Sequence, residues 1–266
     1  MRKQSFNLHT HTARCGHGEG LDIQYVNSAI DAGFKLLGFS DHIPFPQIQQ
    51  PQCRMNYEQK DEYLTSIRNL KKQFQGIIEI KVGYETEYFE DQQEYLQAMR
   101  KECDYMILGQ HLNTMDYEYD CYCSDEDTVM YALQIEQALS QNLIMCVAHP
   151  DYYMLGRRYF SKACQQAAHR IARASIQYDV PLEINLNGFQ YGKKMYRFFD
   201  RPNYEEERYP YPFREFWEIA ANYGCKVIYG YDAHSPITLQ EQYREELAAN
   251  ILHDIPLRFF SKMKWK

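Results

Sequence analysis

Seven short apolar runs alternate along the chain with seven longer stretches that repeat apolar residues at helical spacing. The runs have the length of buried strands, and the longer stretches have the period of amphipathic helices. The predicted strands lie near 5–11, 35–42, 77–87, 105–111, 144–150, 181–188 and 226–234. The predicted helices lie near 21–34, 58–75, 91–102, 125–141, 161–178, 212–224 and 238–253. Strands that alternate with helices form parallel βα units, so the chain is predicted to be an α/β protein.

A closed barrel brings the carboxyl ends of all its parallel strands to one rim, where such folds place their chemistry. The alternative is an open doubly wound sheet. Polar residues follow strands from both ends of the chain and converge more easily in a barrel, so we expect a TIM-barrel-like fold. No linker, repeat or low-complexity segment interrupts 1–266, which predicts a single domain. The stretch from 188 to 209 is expected to be irregular.

Histidines concentrate at the predicted strand ends. His9 and His11 are spaced i, i+2, so both imidazoles project to the same side of a strand. Seven of the nine histidines lie at or just after a predicted strand end: His9, His11, His17, His42, His111, His149 and His234. Neutral imidazole is the commonest metal ligand, whereas one catalytic zinc ion takes about three protein ligands. The set therefore predicts two or three divalent metal ions.

Carboxylates occupy similar positions. Glu85 and Glu87 end the third predicted strand, and Asp232 precedes Ala-His234 in the seventh. Alternation alone permits either glutamate to join the site, because both face the same side. A mixed shell of nitrogen and oxygen ligands suits zinc, manganese or iron better than calcium or magnesium.

Several short motifs carry a resemblance to a known family. They are His9-Thr-His11, His17, Phe-Ser-Asp-His42, Gly-Tyr-Glu85, Gly-Gln-His111, Ala-His149-Pro and Asp232-Ala-His234-Ser-Pro. Together they resemble the successive motifs of the PHP (polymerase and histidinol phosphatase) family over essentially the whole chain. Leu-Glu-Ile-Asn-Leu-Asn-Gly at 182–188 is similar to the histidinol-phosphatase branch. The resemblance implies a distorted (β/α)7 barrel with a trinuclear metal centre.

The resemblance also implies how the ligands divide among three ions. The first ion is expected on His9, His11, Glu85 and Asp232, the second on Glu85, His111 and His149, and the third on His17, His42 and His234. The choice of Glu85 over Glu87 follows the Gly-x-Glu pattern of the family.

The activity implied is hydrolysis of a small anionic phosphomonoester, L-histidinol phosphate, in histidine biosynthesis. A hydroxide that bridges two metal ions is expected to attack phosphorus, with Glu85 and Asp232 as catalytic residues. Asp232 or a metal-bound water is expected to bring the proton to the leaving alkoxide.

Substrate-binding residues are expected in the loops at the rim. Guanidinium groups bind phosphate oxygens well, and the family places arginines in the loops that here contain Arg157, Arg158 and Arg197. Asn185 is expected either to contact an amine or imidazole of the substrate or to bond within the barrel. The sequence leaves open which of Arg157 and Arg158 takes part.

The net charge of −7 argues against a nucleic-acid partner. No membrane-length apolar segment or signal-peptide pattern occurs, and the eight cysteines are scattered, so a cytoplasmic protein with reduced thiols is expected. The competing hypotheses are a PHP phosphoesterase that acts on nucleotides, cyclic phosphates or other small phosphates, and a non-catalytic metal-binding interaction module. The oligomeric state is left open.

Overall fold

The structure is a computed structural model that describes residues 4–260. Within this range the strands are β1 (Phe6–Asn7), β2 (Leu36–His42), β3 (Glu79–Thr86), β4 (Tyr105–Leu108), β5 (Leu112–Thr114), β6 (Tyr117–Glu118), β7 (Cys146–Val147), β8 (Tyr159–Phe160), β9 (Leu182–Asn185), β10 (Lys194–Phe198), β11 (Arg201–Arg208), β12 (Lys226–Gly230) and β13 (Arg258–Phe259). The α-helices are α1 (Asp22–Asp31), α2 (Lys60–Gln73), α3 (Gln93–Glu102), α4 (Asp125–Ser140), α5 (Lys162–Tyr178), α6 (Arg214–Asn222) and α7 (Tyr243–Ile251).

The main sheet is parallel and has the order β1-β2-β3-β4-β7-β9-β12-β13. Its first seven strands are the seven predicted from the sequence, in chain order. The short β13 adds to the start of β12. This arrangement confirms the α/β class and the succession of parallel βα units.

The sheet curls so that β1 meets β12. Thr10 and Ala233 form a parallel bridge at this seam, and the His11 amide donates to the Ala233 carbonyl at 2.9 Å. Nearer the amino-terminal end, the side chain of Gln4 bonds both the carbonyl and the amide of Tyr229. Side chains and one bridge thus replace a regular ladder here, which accounts for the distortion of the barrel.

Two apolar layers hold the sheet. The outer layer packs the helices on the strands and contains most of the buried apolar residues. The inner one fills the barrel with Phe6, Leu8, Leu36, Tyr105, Ile107, Met145, Cys146, Ala148 and Ile228. Alternate residues of a strand enter different layers, as the pleat requires.

Tyr105 spans the barrel interior beneath the rim. Its hydroxyl donates to the Leu8 carbonyl at 2.6 Å. A Cβ added at Gly38 or Gly83 would lie within 2.2 or 2.5 Å of the Tyr105 side chain, so β2 and β3 need glycine for this close approach.

The stretch from 188 to 209 is not irregular as expected. β10 and β11 form an antiparallel hairpin in it, and β8 extends the hairpin to three strands. Tyr196 and Phe198 alternate with exposed neighbours and are fully buried, so a strand period is present among the many charged residues. None of the helices in the described part of the chain combines the length and apolar character needed to span a membrane.

Candidate metal centre

The ligands predicted from the sequence meet at one end of the barrel, although they come from six strands. His9 and His11 follow β1, and their Nε2 atoms lie 3.1 Å apart. His111 follows β4, and its Nε2 lies 3.2 Å from Nε2 of His149, which follows β7. Imidazoles distant in sequence therefore point their Nε2 atoms at shared positions.

His234, after β12, connects these imidazoles to the remaining ones. Its ring stacks on His11 at a centroid distance of 4.0 Å and on His17 at 4.3 Å. His42, at the end of β2, lies 4.4 Å from His11 between ring centroids. All seven histidines singled out in the sequence thus form one cluster.

Glu85 lies at the centre of this cluster. Its Oε1 is 2.9 Å from Nε2 of His149 and 3.3 Å from Nε2 of His9. Its Oε2 is 3.2 Å from Nδ1 of His42 and 3.4 Å from Nε2 of His11. One carboxylate therefore faces imidazoles on two sides, as a bridging ligand would.

Glu87 has a different environment. It contacts Nη2 of Arg54 at 2.9 Å and Nδ1 of His111 at 3.2 Å. Gly109 makes room for Glu85, because a Cβ added there would lie 1.9 Å from Glu85 Oε1. The geometry thus separates two glutamates that alternation could not distinguish.

Asp232 faces the cluster through one oxygen only. Its Oδ1 lies 3.0 Å from Nε2 of His11 and 3.4 Å from Nδ1 of His234. Its Oδ2 accepts hydrogen bonds from the side-chain amides of Asn185 and Asn187, at 3.1 and 3.4 Å. The two amides fix the orientation of the carboxylate.

Polar atoms without partners test whether the residues fit metal ions. Among residues 4–260, Glu85 Oε2, Asp232 Oδ1 and His234 Nε2 are buried with no hydrogen-bond partner. Such atoms are rare in proteins unless a water or an ion satisfies them. Groups whose ligand atoms all lie within 4.8 Å of one another include His11/His42/His234, His9/Glu85/His149, His9/His11/Asp232 and Cys15/His17/His234.

The spacing of the donors also fits. Zn–N bonds of 2.0–2.1 Å in a tetrahedron separate two nitrogens by about 3.3 Å. The measured Nε2 separations of 3.1 and 3.2 Å come close to this value. Imidazole nitrogens with carboxylate oxygens are the donor set of zinc, manganese or iron sites, so the cluster fits several such ions.

Burial and neighbouring charges shift the pKa values of the groups in the cluster. Burial would raise the pKa of Glu85, but the surrounding imidazoles, His9 first, hold it well below the usual range. Burial likewise opposes ionisation of Asp232, and His9 and His11 lower its pKa well below the usual range. Burial and the neighbouring His11 lower the pKa of His234 to about 3. Ionised carboxylates and a neutral imidazole thus meet in a region shielded from water.

A second layer of carboxylates orients the imidazoles. Glu183, which is 1% exposed, contacts Nδ1 of His9 at 2.9 Å. Asp41 faces Nδ1 of His11 at 3.6 Å and accepts a hydrogen bond from Thr12. Such partners fix the tautomer and ring orientation of metal-binding histidines. The sequence motifs assigned neither carboxylate this role; the signal available was a carboxylate inside a buried strand, Asp41 near the end of β2 and Glu183 within β9.

Arg54 is the other residue that the sequence analysis missed. It is 3% exposed and lines the cavity at the cluster. Four hydrogen bonds hold its guanidinium, two to Glu87, one to the Ile43 carbonyl and one to Gln50. It lies in a proline-containing loop without periodicity, so no sequence pattern marks it.

The four predicted substrate-binding residues do not line this cavity. Arg157 is buried and engaged by Asp125, Thr128, Ser161 and the Cys123 carbonyl. Arg158 bonds the Leu155 carbonyl, and the exposed Arg197 lies 3.9 Å from Glu205. Asn185 bonds Glu183 and Asp232 inside the barrel. Each of these side chains has a partner within the protein, and their substrate role stays a prediction.

The cavity above the cluster has a volume of about 370 Å³. Seven imidazoles and two carboxylates lie at the carboxyl ends of the strands of a parallel α/β barrel. This arrangement is that of a polynuclear metal centre.

The sequence model of the PHP domain matches residues 7–187. The chain belongs to the PHP domain family, as its motifs predicted.

Related proteins carry a consistent name. A protein of Deinococcus radiodurans named "Probable histidinol-phosphatase" is 24% identical over 239 residues, which cover 86% of this chain and 85% of that protein. The histidinol-phosphatase of Bacillus subtilis is 32% identical over 130 residues, 45% of this chain and 48% of that protein. The crystal structure of histidinol phosphate phosphatase from Lactococcus lactis, complexed with zinc, L-histidinol and phosphate, is similar with a TM-score of 0.72. It is 18% identical, and the match covers 98% of this chain and 97% of that one.

Proposed function

We propose that this protein is a metal-dependent phosphomonoesterase that hydrolyses L-histidinol phosphate to L-histidinol and phosphate. The observation that carries the proposal is the convergence of nine ligand side chains at one cavity on the barrel rim; five of them have a buried atom with no hydrogen-bond partner among residues 4–260. The name of the Deinococcus radiodurans relative, which matches 86% of this chain, supports the choice of substrate.

The ligands would be divided as the family motifs imply, with Glu85 shared between two positions. His9, His11, Glu85 and Asp232 would hold one ion, Glu85, His111 and His149 a second, and His17, His42 and His234 a third. Divalent transition-metal ions supply, when bound, Lewis-acid polarisation of the phosphate and activation of water near neutral pH.

Arg54 would bind the phosphate from the protein side. Its position is fixed by Glu87, Gln50 and the Ile43 carbonyl before substrate arrives. Because a held guanidinium needs little reorganisation, its remaining Nη2 hydrogen and its charge can stabilise a phosphate oxygen during the reaction.

Asp232 would move the proton. Asn185 and Asn187 bind Oδ2, which leaves Oδ1 directed at the cluster without a hydrogen-bond partner among the described residues. The Asp232 carboxylate would take a proton from the attacking water and return it to the leaving alkoxide, as a general base and then a general acid.

The test is a substrate screen on metal-replete protein that compares L-histidinol phosphate with mononucleotides, cyclic nucleotides and sugar phosphates. We expect the highest kcat/KM for L-histidinol phosphate. Higher kcat/KM for a nucleotide or cyclic phosphate would assign the chain to another PHP phosphoesterase. Full metal content without turnover of any phosphoester would identify a non-catalytic module.

Two variants distinguish the loss of the metal site from a general loss of the folded structure in this screen. Glu85→Gln removes the central carboxylate and should abolish both metal retention and turnover. Glu79→Gln, on the same strand but with its side chain half exposed, is the matched control and should retain both.

A further inference from the structure

Two carboxylates at the cavity wall have no part in the metal cluster. β5 and β6 form a hairpin in which Leu112 pairs with Glu118. The Tyr119 amide donates to the His111 carbonyl at 2.9 Å, so this hairpin is fixed to the residue that carries a metal-ligating imidazole. Glu118 and Asp120 both line the cavity as a result.

These two carboxylates lie against each other, and the charges of His111 and Arg54 act on Glu118 without forming an ion pair. Burial and the adjacent Asp120 raise the pKa of Glu118. Oδ1 of Asp120 is buried and accepts no hydrogen bond within residues 4–260. No lysine, arginine or histidine in the described part of the chain forms an ion pair with either carboxylate. The fold thus leaves a pair of like charges at the wall of a cavity, which a cation from outside would stabilise.

Aromatic rings lie next to this acidic pair. Tyr152, Tyr191 and Tyr211 line the same cavity. The Tyr152 ring stands perpendicular to His111 at 5.1 Å and lies 5.9 Å from the Tyr211 ring, which is 6.0 Å from Tyr191. The faces of such rings attract ammonium and imidazolium groups.

Another part of the cavity lining has the reverse preference. Arg54 supplies a fixed positive charge there. Oδ1 of Asp232, on a side chain that is 6% exposed, faces the same cavity without a hydrogen-bond partner and marks the place of a metal ion. One cavity therefore joins a phosphate-binding region to a region suited to a cation.

We propose that Glu118 and Asp120 form a cation subsite that selects phosphomonoesters carrying an ammonium or imidazolium group. The inference rests on the proposed function for the phosphate-binding region and extends it to the substrate class. A substrate that is negative at one end and positive at the other satisfies both regions. A nucleotide would bring further negative charge towards the carboxylate pair and be rejected.

The first test measures binding without turnover. Metal-replete protein is titrated with L-histidinol in a calorimeter, and the same is done for Glu118→Gln and Asp120→Asn. Hydrogen bonds to charged groups predict an affinity loss of about 10- to 100-fold in each variant. Inorganic phosphate should bind all proteins equally. Unchanged L-histidinol affinity in both variants would overturn the proposal.

Asp116→Asn is the matched control, because Asp116 lies in the turn of the same hairpin, is exposed and does not line the cavity. It removes the same charge and should leave L-histidinol binding unchanged. An equal loss in Asp116→Asn would show that net charge, and not a subsite, attracts the ligand. Metal content and melting temperature of every variant establish that the fold is retained.

The second test uses kinetics. For L-histidinol phosphate the two variants should raise KM with little change in kcat. For propyl phosphate, a phosphomonoester whose alkyl group carries no charge, kcat/KM should be the same in the variants as in the unaltered protein. Equal losses on both esters would overturn the cation subsite. If the unaltered protein hydrolyses no phosphomonoester, the proposed function fails, and the calorimetric comparison alone decides the cation subsite.

Discussion

Replacing Glu183 tests how the second layer of the site acts on the metal cluster. The carboxylate contacts Nδ1 of His9 at 2.9 and 3.1 Å through its two oxygens. It also accepts a hydrogen bond from Asn185 at 2.8 Å and lies against Gly230, where a Cβ would be 2.0 Å from Oε2. Its position inside the barrel is therefore fixed, and so is the ring of His9.

The expected magnitude follows from these contacts. Glu183→Gln keeps a hydrogen-bond acceptor for His9 but removes the charge, so we expect metal affinity to fall by about 10-fold. Glu183→Ala removes the acceptor as well and should cost about 100-fold, the upper end of the range for second-layer partners of metal ligands. The second figure corresponds to roughly 2.7 kcal/mol of binding free energy.

The assay is competition for zinc between the protein and a chelator of known affinity, which reads metal binding independently of turnover. Glu79→Gln serves again as the control and should bind zinc like the unaltered protein. If both Glu183 variants keep zinc affinity within about twofold, the carboxylate does not orient His9 and the reasoning is refuted.

Three further predictions concern the fold. Gly109→Ala places a methyl group 1.9 Å from Glu85 Oε1, so the metal content measured after dialysis should fall well below that of the unaltered protein. Full retention of metal would contradict the close packing of Gly109 on Glu85. Tyr105→Phe removes the hydroxyl that crosses the barrel interior and should lower the free energy of unfolding in urea by about 1–3 kcal/mol; an unchanged urea midpoint would contradict this. Burial would raise the pKa of Asp104, but Lys71 at 2.7 Å and a backbone amide lower it. Asp104→Asn should therefore lose up to about 1 kcal/mol of stability at pH 7, and the difference from the unaltered protein should shrink as the pH falls below about 4 and through the lowered pKa; a pH-independent difference would exclude the ion pair as its cause.

Periodicity was enough to predict the strands and the residues that follow them. His42, His111 and His149 each end an apolar run, and the parallel arrangement brings all such ends to one rim. The barrel was predicted correctly for this reason, because strand ends in such folds gather in space whatever their distance in sequence. The PHP family was predicted correctly from the motifs at those strand ends.

Contacts between distant segments could not be predicted in this way. Alternation gives Glu85 and Glu87 the same predicted face, and the arrival of Arg54 from a loop without periodicity helps to distinguish them. Arg157 has the position of a rim residue in the sequence, but Asp125 at the start of α4 engages it. The pairing of a side chain with a partner far along the chain leaves no local signal.

The hairpins were missed for a different reason. β10 contains Tyr196 and Phe198 at strand spacing, but the charged residues around them suggested a loop. β5 and β6 comprise only three and two residues, too few for a period to be recognised. Glu118, which the β5–β6 hairpin places at the cavity, was therefore not considered.

Locating metal ions in a crystal would show whether the histidine cluster is a metal centre. Crystals of protein loaded with zinc would be measured at the zinc absorption edge, and the anomalous difference map would be inspected at the cluster. We expect two or three peaks among the seven imidazoles, with Glu85 between two of them. A map with no peak at the cluster, whether the protein binds zinc elsewhere or not at all, would show that these side chains do not form a metal centre.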